Sequence, residues 1–205
     1  MNTSALLGLF LFLSLPASRS FAGGFDVDFK PKIEVEYKVL LSTGMEAALK
    51  AYDPEFEIWK AQDFDPFLRN VYTYGPTPGE YFRTYQTLSA VIGDFNGDKI
   101  PDVALLGHNK THDKRIVILS KDTGYVIVEL LNYPLTDPLF PTAKKGDGNI
   151  GQCLELVPSG KIKAELAYNR PELNLKTTAF KYGGEQGSTL YYYQDGKFID
   201  YSLSD

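Results

Sequence analysis

Nine residues constrain this chain more than any other stretch: Asp94-Phe95-Asn96-Gly97-Asp98-Lys99-Ile100-Pro101-Asp102. Apolar runs flank them, residues 88–92 before and 103–106 after, so they read as a polar loop joining two strands. Side-chain oxygens stand at positions 1, 3, 5 and 9 of the loop. Three carboxylates and one amide oxygen brought together at low dielectric repel one another by several kcal/mol. A hard divalent cation relieves that repulsion. Calcium, with its flexible oxygen coordination, fits better than magnesium, which demands an octahedron. The expected ligands are the side chains of Asp94, Asn96, Asp98 and Asp102, the Ile100 carbonyl, and water. An EF-hand is excluded, because its essential Gly and Glu positions are held here by Lys99 and Leu105. The bland alternative for the same residues is a solvated hairpin turn, which Asp, Asn and Gly favour in any case.

Gly-Asp-Phe-Asn-Gly-Asp at 93–98, followed by Pro-Asp-Val-Ala-Leu-Leu at 101–106, resembles the calcium loop of FG-GAP and VCBS-type repeats. Such repeats occur in integrin-like β-propellers and in exported bacterial proteins. The resemblance is confined to this stretch. It implies a calcium site held between two strands and an exported protein. Lys99 departs from the pattern, which usually has Gly there; a left-handed backbone at that position costs a non-Gly residue roughly 1–2 kcal/mol. The tail at 185–205, with Tyr-Tyr-Tyr-Gln-Asp-Gly-Lys-Phe, loosely resembles that of small exported bacterial proteins carrying one such loop.

Around the loop the pattern is mostly that of strands. A meander is expected at about 87–92, 103–107, 115–120 and 125–131, resembling one propeller blade. With no second motif of this kind, a complete propeller is not expected. Residues 33–39 alternate apolar and charged, as in a half-buried strand. Ser42 or Thr43 caps a short helix through Lys50, which Asp53-Pro54 ends, and Asp65 caps a second short helix with Pro66 in its first turn. Residues 132–149, rich in Pro and Gly, read as a long loop. Strands resume at 151–157, 177–182, 190–194 and 197–201, the last two joined by a type I′ turn at Asp195-Gly196. The expected fold is therefore α+β: mostly antiparallel sheet, with a C-terminal hairpin and a small helical N-terminal layer.

Residues 1–22 read as a secretory signal, with an apolar run at 5–15 too short to span a membrane comfortably and small residues Ser20 and Ala22 before Gly23. The n-region carries no Lys or Arg, and an uncleaved anchor is the alternative. Residues 23–205 form one domain, expected to be secreted or periplasmic, monomeric, and without a transmembrane segment once the signal is cleaved. The net charge of −5 gives no nucleic-acid footprint. Cys153 is the only cysteine, so it has no partner for an internal disulfide; it reads as a buried, inert thiol in a strand.

His108 and His112 stand four apart in a stretch read as a solvated loop between strands, without the Glu of a metalloprotease motif. Gly183-Gly184-Glu185-Gln186-Gly187 has no helix after it to bind phosphate. Asn109-Lys110-Thr111 is a glycosylation sequon in a eukaryotic setting. No nucleophile motif and no assignable catalytic residue emerges, although paired carboxylates are spatial and escape such a reading. The expectation is an exported, calcium-binding, non-enzymatic domain that meets a protein, envelope or carbohydrate partner. The alternative is an exported hydrolase or inhibitor-type module in which calcium is purely structural.

Overall fold

In a computed structural model of the chain, the described residues are 38–69, 86–136, 148, 150–162, 172–184 and 187–203. The expected signal at 1–22 and most of the expected strand at 33–39 lie outside them. Within them the protein is mostly antiparallel β-sheet with few helices.

Helix α1 (Thr43–Tyr52) begins where Ser42, in extended conformation, accepts the Met45 amide on its hydroxyl. Glu46 in its first turn and Lys50 in its last complement the helix dipole. At its end the Asp53 N–H bonds to the Leu49 carbonyl. Asp65 caps the second, single-turn helix at 66–69, its carboxylate taking the Phe67 amide at 2.7 Å.

The strands β1 (Glu57–Ile58), β2 (Ala90–Gly93), β3 (Asp102–His108), β4 (His112–Lys121) and β5 (Gly124–Pro134) make the first sheet. β2 to β5 pair consecutively as a meander, and β1 shares the β2 edge of β3. A second sheet has the order β11-β10-β9-β6, from β6 (Cys153–Val157), β9 (Ala179–Gly184), β10 (Gly187–Gln194) and β11 (Lys197–Ser202). A separate hairpin joins β7 (Gly160–Ile162) to β8 (Leu173–Leu175).

Alternation along these strands sorts the side chains into three apolar clusters. Val91, Ala104, Leu106, Val117 and Leu119 of the first sheet meet Leu154, Phe180 and Tyr191 of the second. On the other face of the first sheet, Ala90, Val103, Leu105, Ile116 and Ile118 meet Leu49, Met45 and Tyr52 of α1. Beyond the second sheet, Leu190 and Ala179 pack with Leu175 and Ile162 of the small hairpin. Each fully buried Leu, Ile or Phe contributes about 1.5–3 kcal/mol relative to exposure.

Several expected boundaries move. The loop expected from residue 132 starts later, because β5 runs to Pro134, which pairs with His112. Proline is tolerated there because it ends the strand. The polar stretch between β3 and β4 shrinks to residues 109–111, and both histidines belong to strand ends. The β7–β8 hairpin was not foreseen in the sequence. At Asp195 and Gly196 the φ angles are 50° and 83°, as a type I′ turn requires.

Candidate functional site

The loop at 94–102 is wound tightly by two left-handed residues, Gly97 at φ 82° and Lys99 at φ 71°. Lys99 therefore adopts the conformation in which a side chain is strained. The loop's side chains turn back on its own backbone. The Asp94 carboxylate accepts the Gly97 amide at 2.7 Å and the Lys99 amide at 3.0 Å. Asn96 Oδ1 accepts the Asp98 amide at 2.9 Å, while its NH₂ donates to Asp98 Oδ2 at 2.9 Å. Asp98 Oδ1 accepts the Ile100 amide at 2.8 Å.

Asp102 plays a different part. It is 0% exposed, and one carboxylate oxygen accepts the Phe95 amide at 2.9 Å while the other accepts the Ser120 amide at 2.8 Å. It also takes the Asn96 amide. Burial raises its pKa above the ordinary carboxylate range; these amides pull the other way, and the charge of Asp98 adds to the rise. Asp102 thus ties the start of the loop to β4. Ser120 strengthens the tie by donating its hydroxyl to the Pro101 carbonyl at 2.7 Å. Asp94, Asn96 and Asp98 form the solvent side of the loop, and Asp102 its buried side. Among the described residues, no three His, Cys, Asp or Glu side chains converge as a metal-holding group.

The loop is anchored by a residue that its polar reading passed over. Phe95 is 0% exposed and meets Phe180 edge-on, with ring centroids 5.0 Å apart. Its carbonyl accepts the Thr177 hydroxyl at 2.8 Å. The signal of this in the sequence is an aromatic residue set between the polar ligand positions Asp94 and Asn96.

A second polar cluster joins the end of α1 to β4. Lys114 Nζ lies 2.8 Å from Asp53 Oδ2 and 3.9 Å from Glu129 Oε2, with the Tyr52 ring centroid 4.9 Å away. The Tyr52 hydroxyl donates to Glu129. Burial and then this bond raise the Tyr52 pKa well above the usual phenol value. Burial pushes the Asp53 carboxyl upward, but the Lys114 ammonium, the Asn109 amide and the Glu55 N–H outweigh it, so the net shift is downward. Alternation along β4 sets Lys114 on the same face as Ile116 and Ile118, a signal legible in the sequence.

Asn109 is fully engaged in the turn between β3 and β4. Its Oδ1 accepts the Thr111 amide and hydroxyl and the His112 amide, and its NH₂ donates to Asp53 at 2.9 Å. That leaves the sequon amide committed inside the fold. His108 stacks on Trp59 with ring centroids 3.9 Å apart, while His112 Nδ1 lies 2.8 Å from the Thr111 hydroxyl. The two imidazoles therefore serve different local contacts. Cys153 is buried, and burial followed by the charge of Glu155 raises its thiol pKa to about 12, far from a reactive thiolate.

Comparison with known proteins gives no relative: no protein-family model matches the chain, and no curated protein or solved structure matches it significantly. Among the described residues, no helix is long and apolar enough to cross a membrane.

Proposed function

We propose that this is an exported domain whose loop at 94–102 binds calcium, and that it works by engaging a protein, envelope or carbohydrate partner. The observation that carries the reading is the winding of Asp94, Asn96 and Asp98 around one tight turn, each oxygen bonded from the loop's own amides. A carboxylate oxygen holds two lone pairs, so an oxygen that accepts one N–H retains one for a cation. The donor set suits a hard ion: Asp94 and Asp98, the Asn96 amide oxygen, the Ile100 carbonyl and water. Asp102 spends its carboxylate largely on three backbone amides and adds at most one remaining lone pair.

Two features set the affinity low. Few carboxylates converge, and the Asn96–Asp98 side-chain bond must yield to an ion. The reading therefore places Kd in the weak extracellular range, on the order of 10⁻⁴ to 10⁻³ M. The apolar run at 5–15 and the small residues before Gly23 support export.

Thermal melts in millimolar calcium and in chelator test the proposal. Native-state binding of that strength adds about 0.4–1.4 kcal/mol, or a rise of about 1–5 °C. Superimposable melts overturn the calcium reading. Turnover of a polysaccharide or peptide by the isolated domain overturns the interaction role.

A further inference from the structure

Asn96-Gly97 is the one Asn-Gly step in the chain. An asparagine is open to attack on its own side-chain carbon by the next residue's backbone nitrogen, which closes a five-membered imide and expels ammonia. Every other asparagine here is followed by a residue whose Cβ crowds that nitrogen. Glycine has no Cβ, and its backbone reaches conformations that other residues resist. Asp195-Gly196 offers an equally open nitrogen, but a carboxylate is a far poorer electrophile than an amide.

The loop at 94–102 supplies what the closure needs. The Gly97 N–H, whose proton must leave, donates to Asp94 Oδ1 at 2.7 Å. The Lys99 N–H holds the other Asp94 oxygen at 3.0 Å, which fixes the carboxylate against the Gly97 nitrogen. A carboxylate in hydrogen-bond contact with a departing proton is placed as a general base. At the other reacting centre, Asn96 Oδ1 accepts the Asp98 N–H at 2.9 Å. That donor polarises the side-chain carbonyl and meets the negative charge that gathers on its oxygen during attack. Gly97 is exposed and Asn96 half-buried, so this face of the loop is open to water. Asn109 also takes backbone amides on its oxygen, yet Lys110 follows it and its NH₂ is held by the buried Asp53. Asn96 instead gives its NH₂ to the exposed Asp98.

We propose that Asn96 is a site of spontaneous covalent modification, converted through a cyclic imide that the Gly97 nitrogen closes with Asp94 as the base. The bond from Gly97 N to Asn96 Cγ forms and the Cγ–Nδ2 bond breaks. The Gly97 proton passes by way of Asp94 to solvent, and the departing nitrogen takes a proton from water and leaves as ammonia. Water then opens the imide at either carbonyl, to an aspartyl or an isoaspartyl residue. The net change consumes one water and releases one ammonia, with nothing oxidised or reduced. The aspartyl product adds a carboxylate to the loop. The isoaspartyl product lengthens the backbone by one atom between Asn96 and Gly97, which upsets the spacing that the Asp94 and Asp98 hydrogen bonds require. No metal takes part, so the proposal stands independently of calcium.

Peptide mapping by mass spectrometry tests this on the folded chain in chelator at neutral pH. The same chain unfolded in guanidinium chloride is the reference, and an isoaspartyl methyltransferase assay reports the second product. The peptide carrying Asn96 should gain the mass that oxygen in place of NH adds, about tenfold faster or more than any other asparagine peptide, and faster in the folded chain than in the unfolded one. Asp94→Asn keeps an oxygen for the Gly97 amide but lacks the base; it should slow conversion about tenfold or more in the folded chain and leave the unfolded rate unchanged. Asn96→Gln, which would have to close a six-membered ring, should lose conversion at that position. Circular dichroism matching the wild type shows that each variant has folded; if Asp94→Asn does not fold, the comparison of folded with unfolded wild type decides. Slower conversion in the folded chain than in the unfolded one, equal conversion at another asparagine, or a folded Asp94→Asn variant that converts at the wild-type rate overturns the proposal.

Discussion

The carboxylate of Asp102 accepts the backbone amide of Ser120 at 2.8 Å across eighteen residues of chain, and in doing so fixes the loop to the neighbouring strand. The other oxygen of the same carboxylate takes Phe95. The residue that closes the acidic loop in sequence is therefore the one that locks it to the core.

Replacing Asp102 should cost more than replacing any other acidic residue of the loop. Asp102→Ala leaves buried amides without an acceptor, a loss of about 3 kcal/mol, and Asp102→Asn, which faces a donor toward a donor, about 1–3 kcal/mol. The pH dependence has a definite sign. Because the folded state raises this pKa, Asp102 favours folding below the ordinary carboxylate value and loses that contribution as pH rises through the raised one. Urea midpoints measured between about pH 3 and 7 should therefore show the wild type's advantage over Asp102→Asn shrinking as pH rises. A gap that widens with pH contradicts the burial argument.

Lys114 and Asp53, each with side chains 10% exposed, form the buried pair that holds α1 to the first sheet. Lys114→Met should destabilise by about 3–5 kcal/mol, since it strands a buried carboxylate. The double variant Asp53→Asn/Lys114→Met should lose less than the sum of the single changes, by about 1–3 kcal/mol. The Asp53 pKa is lowered in the fold, so its contribution is present above the ordinary carboxylate value and is lost as pH falls through the lowered one. Asp53→Asn should flatten the acid limb of the stability profile. Additive single and double losses would show that the pair is not coupled.

Local rules made much of this fold readable. Ser42 and Asp65 cap helices because short polar side chains reach the amides ahead of them, and Asp195-Gly196 turns because both residues tolerate positive φ. What escaped reading depends on contacts between distant residues. Phe95 looks like part of a polar loop until the second sheet supplies Phe180. Asp102 looks like the equal of Asp94 and Asp98 until Ser120 arrives from the next strand. The β7–β8 hairpin is too short to show a period, and its place is set by Leu190 and Ala179 beneath it.

Lys99 offers the sharpest test of the loop, because its backbone and its charge work in the same direction. At φ 71° it holds a strained left-handed conformation, and Lys99→Gly should relieve about 1 kcal/mol of that strain in chelator. Deleting the ammonium also removes a positive charge that competes with a cation, so the calcium-dependent rise in melting temperature should grow beyond the wild type's. Asp98→Ala is the counterpart. It removes an acceptor for Ile100 and a partner for Asn96 on the exposed side of the loop, and should cost under about 1 kcal/mol in chelator. In calcium it should abolish the rise. The two variants separate strain from binding, since strain relief moves both melts equally whereas ion binding moves one. If Lys99→Gly raises both melts by the same amount and Asp98→Ala leaves the calcium response unchanged, the loop is a strained turn without a cation role.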